Sequence, residues 1–330
     1  MVPSFPLLSG TDSLRLQYIK PFERQFFIGP VIKQRSVSFQ LANVNDRSKK
    51  IIYFPNNAYS AGVRVNLFGI GMEGTFAVPI ARKNMERYGG SEVSDFNFIS
   101  FSKNWMADFS RQHYSGFYFN RSWFPLPGKA VHPQRPDLEV RNSGLSFTYI
   151  FNNRKFSMRS PYQFTEQQIR SRGSFLLGFT FSRFRLGGET EIIINNTDQV
   201  FFGDGRDARQ MNLVVMGLSP GYGYNLVYKK YFLNLSVQLG PAHNWVSYQS
   251  VDGSKHYDID LNFTASYHAA IGFNGDKYFM GLGFISRNNQ ARLLETQISS
   301  SGSSFRLVAG ARFEERGIFK KRISDLWKKK

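Results

Sequence analysis

The sequence predicts an all-β fold, a transmembrane antiparallel up-and-down β-barrel of about 14 strands, or about 12 if two weak segments are not strands. Three observations lead to this prediction. Apolar and polar residues alternate along whole predicted strands, and short turns between strands alternate with long loops. No long apolar run occurs, although 16% of the residues are aromatic. An even number of strands predicts that both termini lie in the periplasm.

The clearest alternation runs through 257–279. Every second residue from Ile259 to Phe273 is apolar or aromatic, and the residues between them are polar or small. The turn Asn274-Gly275-Asp276 follows, and a second strand begins after it. A strand of a soluble sheet usually has about six residues, whereas a strand that crosses a bilayer needs roughly ten. The length therefore favours a membrane barrel over the alternative, a soluble lipocalin-like barrel.

The other strands are predicted from the same period and from the turn residues that separate them. They are 25–42, 59–68, 70–80, 95–101, 105–119, 145–151, 155–162, 174–184, 192–194, 211–228, 231–239 and 303–313. Turn signals occur at Asn152-Asn153, Gly187-Gly188 and Lys229-Lys230. The segments 155–162 and 192–194 are weakly patterned, so they account for the smaller strand count.

Charge and composition limit the partners. The chain has 330 residues, no cysteine, and 42 Lys and Arg against 24 Asp and Glu, which gives a net charge of +18. Such a charge first suggests nucleic acid, but it is spread through loops and turns and no nucleic-acid module is present, so no nucleic-acid partner is predicted. Attraction to outer-membrane lipids and lipopolysaccharide explains the positive charge at least as well as nucleic acid does. A lack of cysteine agrees with an extracytoplasmic site.

The two ends of the chain are predicted to lie outside the barrel, which gives three parts: an N-terminal periplasmic segment 1–22, a barrel 23–314 and a tail 315–330. The N-terminus has no basic region followed by a full apolar run, so an outer-membrane location in a Gram-negative bacterium implies a signal peptide that this sequence does not contain. The tail is predicted to be a basic amphipathic helix on a lipid surface, or else a solvated end. Its lipid-contacting residues would be Lys320, Lys321, Arg322, Trp327 and Lys328.

Several short phrases, taken in order, resemble an uncharacterised domain-of-unknown-function family of Gram-negative outer-membrane proteins. They are Tyr53-Phe54-Pro55-Asn56, Gln112-His113-Tyr114-Ser115-Gly116-Phe117-Tyr118, Tyr149-Ile150-Phe151-Asn152 with Lys155-Phe156-Ser157, Gln167-Gln168 before Gly173-Ser174-Phe175-Leu176, and Pro220-Gly221-Tyr222-Gly223-Tyr224. The resemblance covers about Asp12 to Phe313. It implies an outer-membrane β-barrel made with a cleaved leader, and it brings no catalytic residue and no ligand. The barrel-assembly machinery is the partner expected for insertion.

The alternation also predicts which polar side chains line the lumen. If Leu235 and Leu261 face lipid, their polar neighbours face inward. The predicted lumen residues are Arg64, Asn66, Asp108, Asn234, Gln238, Asp258, Asp260, Asn262, His268, Arg306 and Arg312. Acids and bases across an open lumen select solutes. Alternatively, they pair with one another and fill the interior, so that nothing is conducted.

The predicted strand 105–119 breaks the pattern. The face that should meet lipid carries Arg111, His113, Phe117 and Phe119. A charged residue at the bilayer midplane costs about 2–4 kcal/mol. We therefore expect this face at the membrane edge or against a partner such as another outer-membrane protein, unless a bulge reverses the register.

A His-x-Ser pair on this strand, His113 and Ser115, resembles the dyad of outer-membrane lipid hydrolases, with Asn120 as a candidate third group. The pair alone is a weak motif, and interfacial residues beside an aromatic girdle are the simpler interpretation. No metal site and no cofactor is predicted, because histidines at ligand spacing and a phosphate-binding glycine loop are both missing.

The sequence thus predicts an outer-membrane β-barrel with two functions of equal rank, a porin-like passive channel and a structural or interaction subunit of an outer-membrane complex. A lipid-modifying hydrolase is the alternative. An open lumen distinguishes the channel from the interaction subunit, and hydrolysis that is abolished by Ser115→Ala would identify the hydrolase.

Overall fold

The computed structural model describes residues 10–22, 25–67, 70–128, 130–193, 196–202, 207–293 and 295–315. The predicted lipid-contacting tail residues Lys320, Lys321, Arg322, Trp327 and Lys328 lie outside the described residues, so the tail and the division into three parts stay predictions. No helix in the described ranges is long and apolar enough to cross a membrane.

The chain contains four short helices and fifteen strands in the described residues. The helices are α1 (Gly10–Leu16), α2 (Arg82–Tyr88), α3 (Arg159–Gln163) and α4 (Asn196–Gln199). The strands are β1 (Ile19–Pro21), β2 (Gln25–Asn43), β3 (Lys50–Phe54), β4 (Ser60–Leu67), β5 (Ile70–Ala77), β6 (Glu92–Phe101), β7 (Trp105–Arg121), β8 (Gln134–Ile150), β9 (Glu166–Gln168), β10 (Arg172–Gly187), β11 (Ala208–Tyr228), β12 (Tyr231–Ser250), β13 (Lys255–Asn274), β14 (Tyr278–Leu293) and β15 (Thr296–Glu314).

Thirteen of these strands form one antiparallel sheet, and ten of them close into a barrel. The ring runs β2-β3-β7-β8-β10-β11-β12-β13-β14-β15 and closes where β15 pairs with β2, from Thr296 opposite Asn43 to Glu314 opposite Gln25. The other three strands are attached to the ring: β4 pairs with β2, β5 with β4, and β6 with β7. The two remaining strands, β1 and β9, pair only with each other.

The structure confirms the predicted closed antiparallel barrel but not the count of about 14 strands. The weak segment 155–162 and the described residues 192–193 are not strands, and their apolar side chains are buried inside the barrel instead of facing outward. Conversely, β3 was not predicted. It is only five residues long, too short to show a convincing alternation.

The outer surface of the barrel is divided into two zones. Toward the short turns, at 102–104, 229–230 and 275–277, outward side chains such as Phe147, Leu235 and Phe284 are apolar and exposed. Farther along the same strands the outward residues are polar, as at Arg141 and Arg185. We call the two ends the short-turn end and the loop end. An apolar band of limited height is the feature that distinguishes transmembrane barrels from soluble ones.

The interior has three layers. An apolar cluster at the loop end includes Phe39, Tyr53 and Phe184, and a second one at the short-turn end includes Phe27 and Phe279. Polar and charged side chains lie between them. Apolar side chains in a lumen exclude water, so the two clusters determine whether a continuous aqueous path runs through the barrel.

Candidate functional site

The short-turn end is closed by two segments that are far apart in the sequence. The connection 151–171 carries α3 and β9, and β9 pairs with β1 of the N-terminal segment, Ile19 opposite Gln168. Arg15 Nη2 donates hydrogen bonds to both Glu166 carboxylate oxygens at 2.8 and 2.9 Å, and both side chains are buried. We call residues 10–22 and 151–171 together the inner plug.

Aromatic side chains anchor the inner plug in the lumen. Phe164 stacks on Phe279, with 4.6 Å between the ring centroids. Tyr162 Oη donates to Asn234 Oδ1 at 2.8 Å. Arg312 Nη2 donates to the Phe164 carbonyl at 2.8 Å, so the turn that follows α3 is tied to the wall. The 151–171 part of the plug is therefore packed and hydrogen-bonded inside the barrel, like a domain core.

The loop end is closed by residues 188–193 and 196–202, which we call the loop cap. Its apolar residues Ile192, Ile193 and Phe202 are buried in the loop-end cluster. Tyr53 Oη and Arg135 Nη1 donate to the Ile192 carbonyl at 2.8 and 2.7 Å. These bonds satisfy a backbone carbonyl that would otherwise be buried without a partner.

A polar network fills most of the middle layer. Arg287 Nη2 donates to Asp108 Oδ2 at 2.9 Å, Asn97 Nδ2 donates to the other Asp108 oxygen at 2.7 Å, and Arg35 forms an ion pair with Asp95. A cavity of about 70 Å³ remains between these side chains.

A second group of charges lies beside the middle layer, against the inner face of β5. Glu73 accepts from Lys33 Nζ at 2.9 Å and lies 3.9 Å from Arg306 Nη1. Arg64 is opposite Glu73 in the pairing of β4 with β5 and is buried. Three cations from three strands thus surround a single carboxylate.

The barrel wall is interrupted next to this group. β5 pairs only with β4 and β6 only with β7, and within the described strands no pairing joins β5 to β6. Toward the loop end, Asn56 spans the gap through hydrogen bonds to Ser91 Oγ at 2.7 Å and to the Gly89 carbonyl at 2.6 Å. We call the gap between β5 and β6 the seam.

The predicted lumen residues differ in burial. Seven are buried: Arg64, Asn66, Asp108, Asn234, Gln238, His268 and Arg312. Asp260, Asn262 and Arg306 are half-buried, and Asp258 near the loop end is exposed. The sequence analysis missed Lys33, Glu73 and Arg287, although each lies on a strand whose period-two alternation could have identified its inward face.

The irregular strand β7 contains a bulge. The pairing of β7 with β8 shifts between Ser115 and Phe117, where Gly116 has φ of 81°. Beyond the bulge, Phe117 and Phe119 point inward and are buried. The prediction that Arg111, His113, Phe117 and Phe119 share one outer face is therefore wrong, because the extra residue reverses the register.

The His-x-Ser pair is not arranged as a dyad. His113 Nε2 bonds with Glu139, and Asn120 Oδ1 bonds with His132 Nδ1 at 2.6 Å. Among the hydrogen bonds of the described residues, none joins His113 to Ser115. The geometry therefore gives no support to a hydrolase.

Charges also tie the inner plug to the turns of the short-turn end. Asp276 accepts from Lys20 Nζ at 2.6 Å and from Lys230 Nζ at 2.7 Å. The two ammonium groups lower the pKa of Asp276 to about 2. The carboxylate therefore stays ionised in all but strong acid.

Comparison with known proteins shows which family this chain matches. The family described as a domain of unknown function (DUF4421) matches residues 11–313. No curated protein matches the sequence of this chain. Among solved structures, the outer-membrane protease OmpT from Escherichia coli has a TM-score of 0.39 and 9% identity, over 89% of this chain and 97% of that chain.

Two further structures are similar to a lower degree. Ail, the attachment invasion locus protein of Yersinia pestis, has a TM-score of 0.24 and 15% identity, over 68% of this chain and 97% of that one. The Pseudomonas putida toluene transporter TodX has a TM-score of 0.22 and 8% identity, over 92% of each chain. Such scores say nothing about what this chain does.

Proposed function

This chain belongs to the family described as a domain of unknown function (DUF4421), and we propose that it is a non-conducting barrel of the Gram-negative outer membrane that serves as a structural or interaction subunit. The observation that carries the proposal is the closure of the lumen at both ends, by the inner plug and by the loop cap. A porin-like channel needs a continuous aqueous path.

The apolar band supports the membrane location. Outward residues from β7 to β15, including Phe109, Phe179, Leu226, Leu261 and Phe305, are apolar and exposed. Such a surface would be costly in water, and a band flanked by polar residues fits a bilayer. In this orientation the short-turn end and both termini face the periplasm, and the polar loop end faces outward.

The closed lumen leaves the surfaces of the barrel as the sites of function. The partners proposed on this basis are outer-membrane lipids and lipopolysaccharide, the barrel-assembly machinery during insertion, and other outer-membrane proteins. The polar wall at the loop end, with Arg111, His113 and Arg141 outside β7 and β8, lies beyond the apolar band and is open to a protein partner.

Single-channel conductance in planar bilayers tests the proposal. We expect no conductance steps from the folded, heat-modifiable protein. The matched variant replaces Phe164, Arg15 and Glu166 with alanine, which removes the aromatic anchor and the ion pair of the inner plug. Conductance steps that appear only in this variant would identify the plug as the barrier. Discrete steps from the natural sequence would overturn the proposal in favour of a channel. Migration at the monomer mass after mild extraction and native electrophoresis would contradict the subunit role.

A further inference from the structure

The seam exposes strand edges at the depth of the apolar band. Met72 and Phe76 of β5 and Phe96 and Phe98 of β6 are exposed on its outer face. Unpaired backbone N–H and C=O groups are not tolerated against lipid tails, but they are tolerated where they line a polar space. Polar atoms, of this chain or of a bound molecule, must therefore lie beside the seam.

The inner side of the seam carries unbalanced positive charge. Lys33, Arg64 and Arg306 converge on β5, where Glu73 is the only carboxylate within 4 Å of any of them among the described residues. The neighbouring ion pair of Arg35 with Asp95 is balanced and leaves this excess unchanged. An anion is the ligand that such a site favours.

Arg64 shows where the anion would bind. The residue is 6% exposed, and its Nη1 has no hydrogen-bond partner in the part of the chain that the structure describes. A buried cation that lacks a counter-charge is costly, so an unsatisfied guanidinium nitrogen calls for an explanation. An oxyanion supplies both the charge and the acceptor.

Gly71 leaves room for that anion. A Cβ atom placed on Gly71 would lie 3.6 Å from Asn66 Nδ2 and 3.9 Å from Arg64 Nη2. Both donors thus extend over the inner face of β5 at a position where the chain has no side chain. A larger residue at this position would occupy the space in front of them.

We propose that Lys33, Arg64, Asn66 and Arg306 bind the phosphate of an anionic lipid that enters sideways through the seam, with its acyl chains outside against Phe76 and Phe98. Because the inner plug and the loop cap close the lumen, a soluble anion has no comparable route. The apolar outer face and the cationic inner face match the two ends of such a lipid. This inference rests on the membrane location proposed above.

Native mass spectrometry of the full chain in neutral detergent tests the inference with three probes. Dioleoylphosphatidic acid has phosphate and chains, dioleoylglycerol has chains alone, and glycerol 3-phosphate has phosphate alone. We expect only the first to bind. Arg64→Gln and Gly71→Leu should each weaken binding about tenfold or more, the effect of losing a charge-assisted hydrogen bond or the space for the ligand. Arg185→Gln, which removes a charge from the exposed outer wall, should bind as the natural sequence does.

Other outcomes would overturn the inference. Equal binding of dioleoylglycerol would mean that the cations are not used, and equal binding of glycerol 3-phosphate would mean that the seam is not used. Unchanged binding by both Arg64→Gln and Gly71→Leu would place the lipid elsewhere. Gly71→Leu keeps every charge, so it remains informative if Arg64→Gln fails to fold. Carbonate extraction of membranes separates the two proposals, because release of the chain would refute the membrane location, whereas an inserted chain that binds no phosphatidic acid refutes only this inference.

Discussion

Both ends of the barrel are closed by apolar burial, but they differ in the exposure of the ion pairs that hold the closing segments. The loop cap comes from a single connection, between β10 and β11, and its Ile192, Ile193 and Phe202 are buried among apolar side chains. The two segments of the inner plug are joined by the buried pair of Arg15 with Glu166, and the exposed pair of Lys20 with Asp276 ties the plug to the turn between β13 and β14. Apolar burial is insensitive to pH and salt, whereas exposed ion pairs respond to both. The loop cap also has an ion pair, between Arg121 and Asp198, but that pair is largely buried. The exposed pair at Asp276 therefore makes the short-turn end the one that pH and salt can weaken.

The largest effect is expected from Glu166→Gln. This change leaves Arg15 buried without its counter-charge, which costs about 3–5 kcal/mol. Trypsin should then cleave the N-terminal segment much faster in the folded protein, as followed by mass spectrometry. Glu189→Gln at the exposed start of the loop cap is the control and should leave cleavage unchanged. Equal protection of both variants would show that the pair does not hold the plug.

A smaller effect is expected at the loop end from Ile193→Val. The loss of one buried methyl group should lower the free energy of unfolding by about 0.5–1.5 kcal/mol. Denaturant titrations in micelles measure it. Since Ile193→Val removes no charge, the difference in unfolding free energy from the natural sequence should be the same in about 0.1 and about 1 M salt, between which the screening of charges differs strongly. A difference that shrinks in high salt would remove the contrast between the ends.

The smallest effect is expected from Asp276→Asn, below about 1 kcal/mol because the ion pairs are exposed. The folded pKa of Asp276, about 2, is below its unfolded value of about 3.9. A lowered carboxyl pKa stabilises the folded state above the unfolded value, and this contribution is lost as the pH falls from about 4 to about 2. Pepsin cleavage of the N-terminal segment should rise across this window in the natural sequence.

The asparagine variant should lack that part of the pH dependence, because its side chain does not titrate. Lys20→Gln, which removes one partner of the same carboxylate, should reduce the pH dependence without abolishing it, since Lys230 remains. A pH profile that is identical in all three proteins would show that Asp276 does not hold the plug.

Period-two alternation was sufficient to predict most of the wall. Each strand of the barrel sheet except β3 overlaps a predicted segment, because one buried and one exposed face impose the pattern on every long strand. Alternation failed at 155–162, where Phe156 and Tyr162 are apolar because they fill the lumen. A sequence window cannot distinguish an apolar residue that faces lipid from one that plugs the interior.

The candidate site was less predictable. Arg64 and Arg306 were identified as inward residues, yet their approach to Glu73 depends on the order in which β2, β4, β5 and β15 pair. The seam was not predicted, because strand pairing is a long-range property that alternation does not encode. The bulge at Gly116 was foreseen only as one of three explanations for the irregular strand.

The bond between Lys20 and Asp276 joins residues 256 positions apart, and that of Arg15 with Glu166 joins residues 151 apart. Contacts between residues so far apart in the sequence form late in folding, because the chain loses the conformational entropy of loop closure before the contact contributes any stabilisation. Residues 10–22 precede every strand of the barrel sheet in the chain, yet Lys20 has no partner on the barrel until the hairpin of β13 and β14 exists. The docking of this segment therefore marks the end of folding, and an N-terminus still open to protease identifies a barrel whose assembly is incomplete.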